Sequence, residues 1–171
     1  PYDEELLTFD SKAKDVKLAG TFTKPKGEGP FPAVVLISGS GPQDRNEELL
    51  GHKPFLVLAD HLTRKGIAVL RYDDRGVGKS TGKFDTATSK DFAEDAAGAV
   101  AFLKTRKEVG KIGLMGHSEG GLIAPMVAVE NSDVAFIVLL AGPGLPGDEI
   151  IVAQSALIAK AMGMSEKDLV R

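Results

Sequence analysis

"KIGLMGHSEGGLIAPMVAVE", residues 111–130, decides the fold. Its first half is an apolar run of strand length, and its second half repeats apolar residues at helical spacing. Between them stands Gly116-His117-Ser118-Glu119-Gly120. A serine in so tight a strand-to-helix turn takes a strained backbone, and the residues two before and two after it must lack bulk. Gly116 and Gly120 meet that need, and Gly121 adds room against the sheet. Ser118 also falls at a helix N-terminus, where free N–H groups and the helix dipole stabilise a developing oxyanion. A plain helix cap is the bland alternative, but the flanking glycines favour an attacking serine.

The flanking sequence supplies the rest of the fold. "EELLTFDS" (4–11) and "DVKLAGTFTKPKGEGP" (15–30) read as two strands, the second closed by a Gly/Pro turn. "FPAVVLIS" (31–38) suits a buried strand running into the loop "GSGP". Pro54 opens a helix with Phe55, Leu58, Ala59 and Leu62 on one face, and Gly66 stops it. "IAVLRY" (67–72) is a further buried strand. Thr88 and Asp91 resemble a capping box ahead of a helix through Phe92, Ala96, Ala99 and Leu103. "DVAFIVLLAG" (133–142) is a strand apolar on both faces. From residue 31 the order β-α-β-α-β-α-β predicts an α/β protein, with a mainly parallel sheet and helices on both faces. Residues 148–171 break the rhythm with an alanine-rich helix and a second helix opening at Ser165.

Composition narrows the function. A chain of 171 residues amounts to one domain, and a net charge of −3 with mixed signs lacks the basic stripe of a nucleic-acid surface. Without cysteine there is no disulfide, no thiolate catalysis and no zinc–thiolate cluster. No run approaches the roughly 18 apolar residues of a membrane span. Pro1 stands where an initiator methionine would, which leaves room for an upstream segment, and localisation is open.

"VVLISGSGPQDRN" (34–46), "VLRYDDRGVGKS" (69–80) and "GLMGHSEGG" (113–121) together resemble the N-terminal part of an α/β-hydrolase. The branch they resemble is that of bacterial serine esterases related to dienelactone hydrolases and prolyl-oligopeptidase-like peptidases. The resemblance implies that Ser118 is the nucleophile and that "SGSG" replaces the family's His-Gly oxyanion loop. Ser40 and Glu119 would then give the two backbone N–H donors, and Ser38 in the histidine's place need not disturb main-chain groups. It also implies a small-molecule ester as substrate, with an amide or thioester as runner-up; no cofactor is expected, and no metal signature appears, since His117 and Glu119 lack the i, i+4 spacing of a zinc helix. Residues 1–147 would be the N-terminal part of the core, and residues 148–171 the start of a helical lid.

The serine needs a base. In this family the chain order is serine, acid, histidine, yet no histidine follows His117. His117 itself is badly placed, because a neighbour in the elbow points away from the serine, so a packing role is expected. His61 lies on a helix and reads as structural, while His52 lies in a loop that could reach the site rim. Asp148 and Glu149 are conceivable acids but lack a histidine after them. The expectation is therefore that the C-terminal strands, the acid and the histidine belong to a segment missing from this chain, and that this piece alone is inactive. The rival class is a non-catalytic binding module that keeps the fold.

Two motifs mislead. "DDRGVGKS" (73–80) nearly matches a phosphate loop, but Asp73 stands at its first glycine and no helix follows to meet an anion. Asp74-Arg75-Gly76 then reads as a structural turn. "GPGLPG" (142–147) formally fits a dinucleotide fingerprint, but Pro143 and Pro146 remove two backbone donors, so it reads as a hinge. Asp44 and Arg45 read as solvated loop residues, with pocket lining as the alternative.

Overall fold

The computed structural model describes residues 1–164. The helix expected from Ser165 lies outside the described residues. In chain order the elements are β1 (Tyr2–Asp10), β2 (Lys17–Pro25), β3 (Phe31–Ile37), α1 (Pro54–Arg64), β4 (Ala68–Tyr72), α2 (Ser89–Lys104), β5 (Val109–His117), α3 (Gly120–Glu130), β6 (Val134–Leu140) and α4 (Gly147–Ala161). Local chemistry sets several of these boundaries. Pro54 supplies a preset φ at the start of α1, and Gly66 beyond its end takes φ 91°. At the start of α2 the Asp91 carboxylate accepts the Thr88 N–H at 2.8 Å and its hydroxyl at 2.7 Å, so Asp91 does the capping from inside the helix.

The strands form one six-stranded sheet in the order β1-β2-β4-β3-β5-β6. β4, β3, β5 and β6 pair in parallel, and β2 pairs antiparallel with both β4 and β1. Alternation along β3 splits the core in two. Ala33, Val35 and Ile37 pack with Leu70, Leu114, Val100, Leu103 and Ile123 under α2 and α3. Val34 and Leu36 point the other way, against Phe55 and Ala59 of α1 with Val69. Helices thus cover both faces, as the two-sided apolar strands require.

Cover is uneven at one side. Among the described residues β6 has a partner only in β5, and Phe136, Ile137 and Leu139 are 41%, 37% and 47% exposed. α4 buries only Ala159, leaving Ile151, Val152, Leu157 and Ile158 exposed. No helix among the described residues is long and apolar enough to cross a membrane.

Candidate active site

Ser118 sits between the end of β5 and the start of α3 at φ 51°, a left-handed backbone that side chains rarely adopt. Its N–H is fixed by the Leu140 carbonyl of β6 at 2.9 Å. The neighbouring glycines explain how the turn closes. A Cβ on Gly116 would lie 1.9 Å from the Gly120 carbonyl oxygen, and one on Gly120 would lie 2.2 Å from that of Ile37. Gly121 makes its close approach to Gly142, where a Cβ would come within 2.5 Å of the Cα. Its room is therefore needed against the connection leaving β6 more than against the sheet.

Ser38-Gly39-Ser40-Gly41 leaves the C-terminal end of β3 beside this elbow. A Cβ on Gly39 would lie 3.1 Å from that of Ser118. Among the described residues neither the Ser40 N–H nor the Glu119 N–H has a hydrogen-bond acceptor, and the Ser118 hydroxyl is likewise unpaired. Two free main-chain donors and one free hydroxyl at a water-accessible elbow suit attack on a carbonyl with charge collected on its oxygen.

Carboxylates surround the loop, and sequence reasoning missed their roles. Glu119 accepts the hydroxyls of Ser40 and Ser89, each at 2.7 Å, through different oxygens. Glu47, 6% exposed, accepts the Gly39 N–H and meets His117 Nδ1, both at 2.7 Å. Asp74 accepts the Ser38 hydroxyl at 2.8 Å and the Gln43 N–H at 2.9 Å. Burial pushes the Asp74 carboxyl up to about 7, against the pull of those two bonds and with help from the negative charges of Asp95 and Glu119. No local pattern marks Glu47, because its partners are distant in sequence and "NEELL" reads as a solvated charge run.

The other candidates fall into place. His117 does more than pack: its ring is tied to a buried acid, which gives the acid–imidazole half of a triad without any bond to the Ser118 hydroxyl. His52 and His61 are exposed, and neither is hydrogen-bonded to the elbow. Asp148 and Glu149 lie exposed in the first turn of α4. Arg45 corrects the solvated-loop reading. Its Nε and Nη2 fork onto Asp73 at 2.9 and 2.6 Å, and its Nη1 donates to Thr21 at 2.9 Å. Asp44 instead accepts the N–H groups of Asn46 and Glu48, both at 3.0 Å, and shapes its own loop.

The phosphate-loop lookalike is spoken for as well. Asp73 faces Arg45, and Ser80 donates to the Asp73 carbonyl at 2.7 Å while accepting from Ala19 N–H at 2.9 Å. Arg75 forks onto the buried Asp95 at 2.7 and 2.8 Å, which makes this turn structural as expected. Two open clefts, one near Lys12 and Met126 and one near Leu6 and Lys79, contain no residue of the elbow. Among the described residues no cluster of acids and histidines could hold a metal ion.

A mainly parallel sheet covered on both faces, with a serine strained at the turn after β5, defines an α/β-hydrolase. Residues 53–169 match the family described as serine aminopeptidase, S33, and the chain belongs to that family. It is 42% identical over 148 residues to the esterase EstD of Thermotoga maritima, which covers 86% of this chain and 36% of that protein. Among solved structures it is similar to the Pyrococcus furiosus esterase Pf2001, with TM-score 0.75, 22% identity and coverage of 98% of this chain and 59% of the other. It is also similar to Est1E of Butyrivibrio proteoclasticus, solved with ferulic acid, with TM-score 0.65, 27% identity and coverage of 77% and 50%. The chain thus spans 36% of the curated relative it matches.

Proposed function

We propose that Ser118 is the nucleophile of a serine hydrolase that cleaves a carboxylic ester through an acyl-enzyme. The observation that carries this reading is the left-handed Ser118 at φ 51°, with its hydroxyl unpaired and the N–H groups of Ser40 and Glu119 without an acceptor among the described residues. The hydroxyl oxygen adds to the ester carbonyl, the oxyanion lies between the N–H groups of Ser40 and Glu119, and the alcohol leaves as the acyl group stays on serine. Water then releases the acid. The relatives named as esterases support an ester over an amide.

The acid and the histidine are proposed to come from polypeptide outside residues 1–171, in the order serine, acid, histidine. Support comes from the elbow, where His117 is committed to Glu47 and no imidazole is hydrogen-bonded to the Ser118 hydroxyl among the described residues. The unpartnered side of β6 and the apolar face of α4 also call for cover. In this reading residues 1–147 belong to the core and residues 148–171 open a lid over the acyl pocket. A second reading, aminopeptidase activity, is favoured by the description of the matched family.

The test is a comparison of p-nitrophenyl acetate with an aminoacyl p-nitroanilide in the full-length protein. An esterase gives a burst of nitrophenol followed by steady turnover, and Ser118→Ala abolishes both. Faster cleavage of the anilide would favour the peptidase, and full activity in Ser118→Ala would refute the nucleophile.

A further inference from the structure

The loop 38–41 carries a proposed oxyanion donor yet has little backbone support. Among the described residues, Gly39, Ser40 and Gly41 neither donate nor accept a backbone–backbone hydrogen bond. Besides the Gln43 side-chain amide, which donates to the Ser40 carbonyl at 3.0 Å, the loop is held by a carboxylate at each of three successive residues. Asp74, after β4, takes the Ser38 hydroxyl at 2.8 Å; Glu47, from the loop before α1, takes the Gly39 N–H at 2.7 Å; Glu119 takes the Ser40 hydroxyl at 2.7 Å.

Glu47 differs from the other two. It accepts from main chain, where Asp74 and Glu119 reach this loop only through hydroxyls. It is 6% exposed, has a left-handed backbone at φ 51°, and the same oxygen that accepts from Gly39 also meets His117 Nδ1 at 2.7 Å. A strained backbone and a buried charge are both unfavourable, and they persist only where the surroundings over-determine them. Gly39 is enclosed by the three groups concerned: a Cβ there would lie 3.1 Å from Ser118 Cβ, 3.3 Å from Glu47 Oε1 and 3.4 Å from His117 Nδ1.

A donor aimed at an oxyanion is effective only when fixed before the charge develops. Successive N–H groups in a glycine-rich loop can exchange places by small peptide rotations. A carboxylate on Gly39 N–H removes that freedom, because turning the Ser40 peptide toward Glu47 would break a charge-assisted bond. Resting on the esterase reading above, we infer that Glu47 is a positioning residue for the oxyanion hole. Bonded to Gly39 N–H and to His117 Nδ1, it locks the loop to the elbow and takes Gly39 N–H out of play, leaving Ser40 N–H, like Gly41 N–H, without an acceptor among the described residues. His117, next to the nucleophile, is the elbow's half of that lock.

The experiment compares Glu47→Ala, Glu47→Gln and His117→Ala in the full-length protein. Each is read by kcat and KM on p-nitrophenyl acetate and by Ki for an alkyl boronic acid, whose tetrahedral adduct places an oxygen in the oxyanion hole. Glu47→Ala is expected to lower kcat by about 10- to 100-fold with KM within about threefold, and to weaken boronate binding in parallel. Glu47→Gln still accepts from Gly39 N–H and recovers most of the loss, and His117→Ala shows a smaller loss of the same kind. Should Glu47→Ala fail to fold, Glu47→Asp keeps the charge but draws it back by one methylene, and is expected to show the same parallel loss. The inference is overturned if boronate affinity and kcat stay within about twofold of wild type in the folded variants. It is equally overturned if Glu47→Gln is as impaired as Glu47→Ala. Failure of the esterase reading looks different: Ser118→Ala would keep its turnover.

Discussion

Gly116→Ala is the smallest change that attacks the elbow directly. Its added methyl carbon would lie 1.9 Å from the Gly120 carbonyl oxygen, 2.2 Å from its carbon and 2.7 Å from Gly121 N. An ordinary carbon–oxygen contact is about 3.4 Å, so the α3 terminus must retreat by about 1.5 Å. Neither side can move easily. β5 is paired to β3 and β6 on its two edges, and Ser118 N–H is bonded to Leu140. Overpacking a rigid site costs about 1–3 kcal/mol, and more when backbone must shift, so about 3–4 kcal/mol is expected. For a domain of this size that lowers Tm by roughly 6–15 °C. The control is Gly110→Ala on the same strand, whose Cβ would meet nothing nearer than 3.5 Å. Thermal unfolding followed by circular dichroism reads both. A Gly116→Ala protein melting within about 2 °C of the control would refute the packing logic of the turn.

Asp74 gives a pH test. Its carboxyl is pushed up to about 7 by burial, while an unfolded aspartate titrates near about 3.9. The native state therefore holds a proton that the unfolded chain has released, so this group's contribution to stability falls as pH rises between those values and levels off above. Asp74→Asn removes the titration and is expected to gain on wild type by about 2–3 kcal/mol between pH values of about 5 and 8 in urea unfolding. A constant gap would refute it. Asp95→Ala removes the carboxylate that the buried Arg75 guanidinium clasps at 2.7 and 2.8 Å and leaves it with the Asp91 carboxylate and carbonyl at 3.1 and 2.6 Å, with an expected cost of up to about 3 kcal/mol in the same assay. A loss under about 1 kcal/mol would show the pair to be dispensable. In the full-length protein the β6 amides facing away from β5 are expected to resist hydrogen exchange, and loop-like exchange there would remove the case for a covering segment.

The sequence disclosed what depends on local periodicity and backbone chemistry. The apolar run at 31–38 read as the buried strand that β3 is, and the glycines around Ser118 announced a strained serine turn. Long-range polar pairing was illegible. His117 and Glu47 lie 70 residues apart, and nothing local distinguishes a buried glutamate in "NEELL" from a solvated one. Arg45 was misread for the same reason, since its fork on Asp73 exists only once the end of β4 is brought beside the loop after β3. The strand order was hidden too, because β3 and β4 are neighbours in a sheet where β3 also pairs with β5.

The most direct test is to expose the full-length protein and its Ser118→Ala variant to a fluorophosphonate, then measure intact mass and map the adduct. The expected result is one rapid adduct on the peptide carrying Ser118, absent from the variant, because only a serine in an activated elbow attacks phosphorus quickly. An unmodified wild-type protein, or an adduct that survives Ser118→Ala, would contradict the assignment of Ser118 as nucleophile.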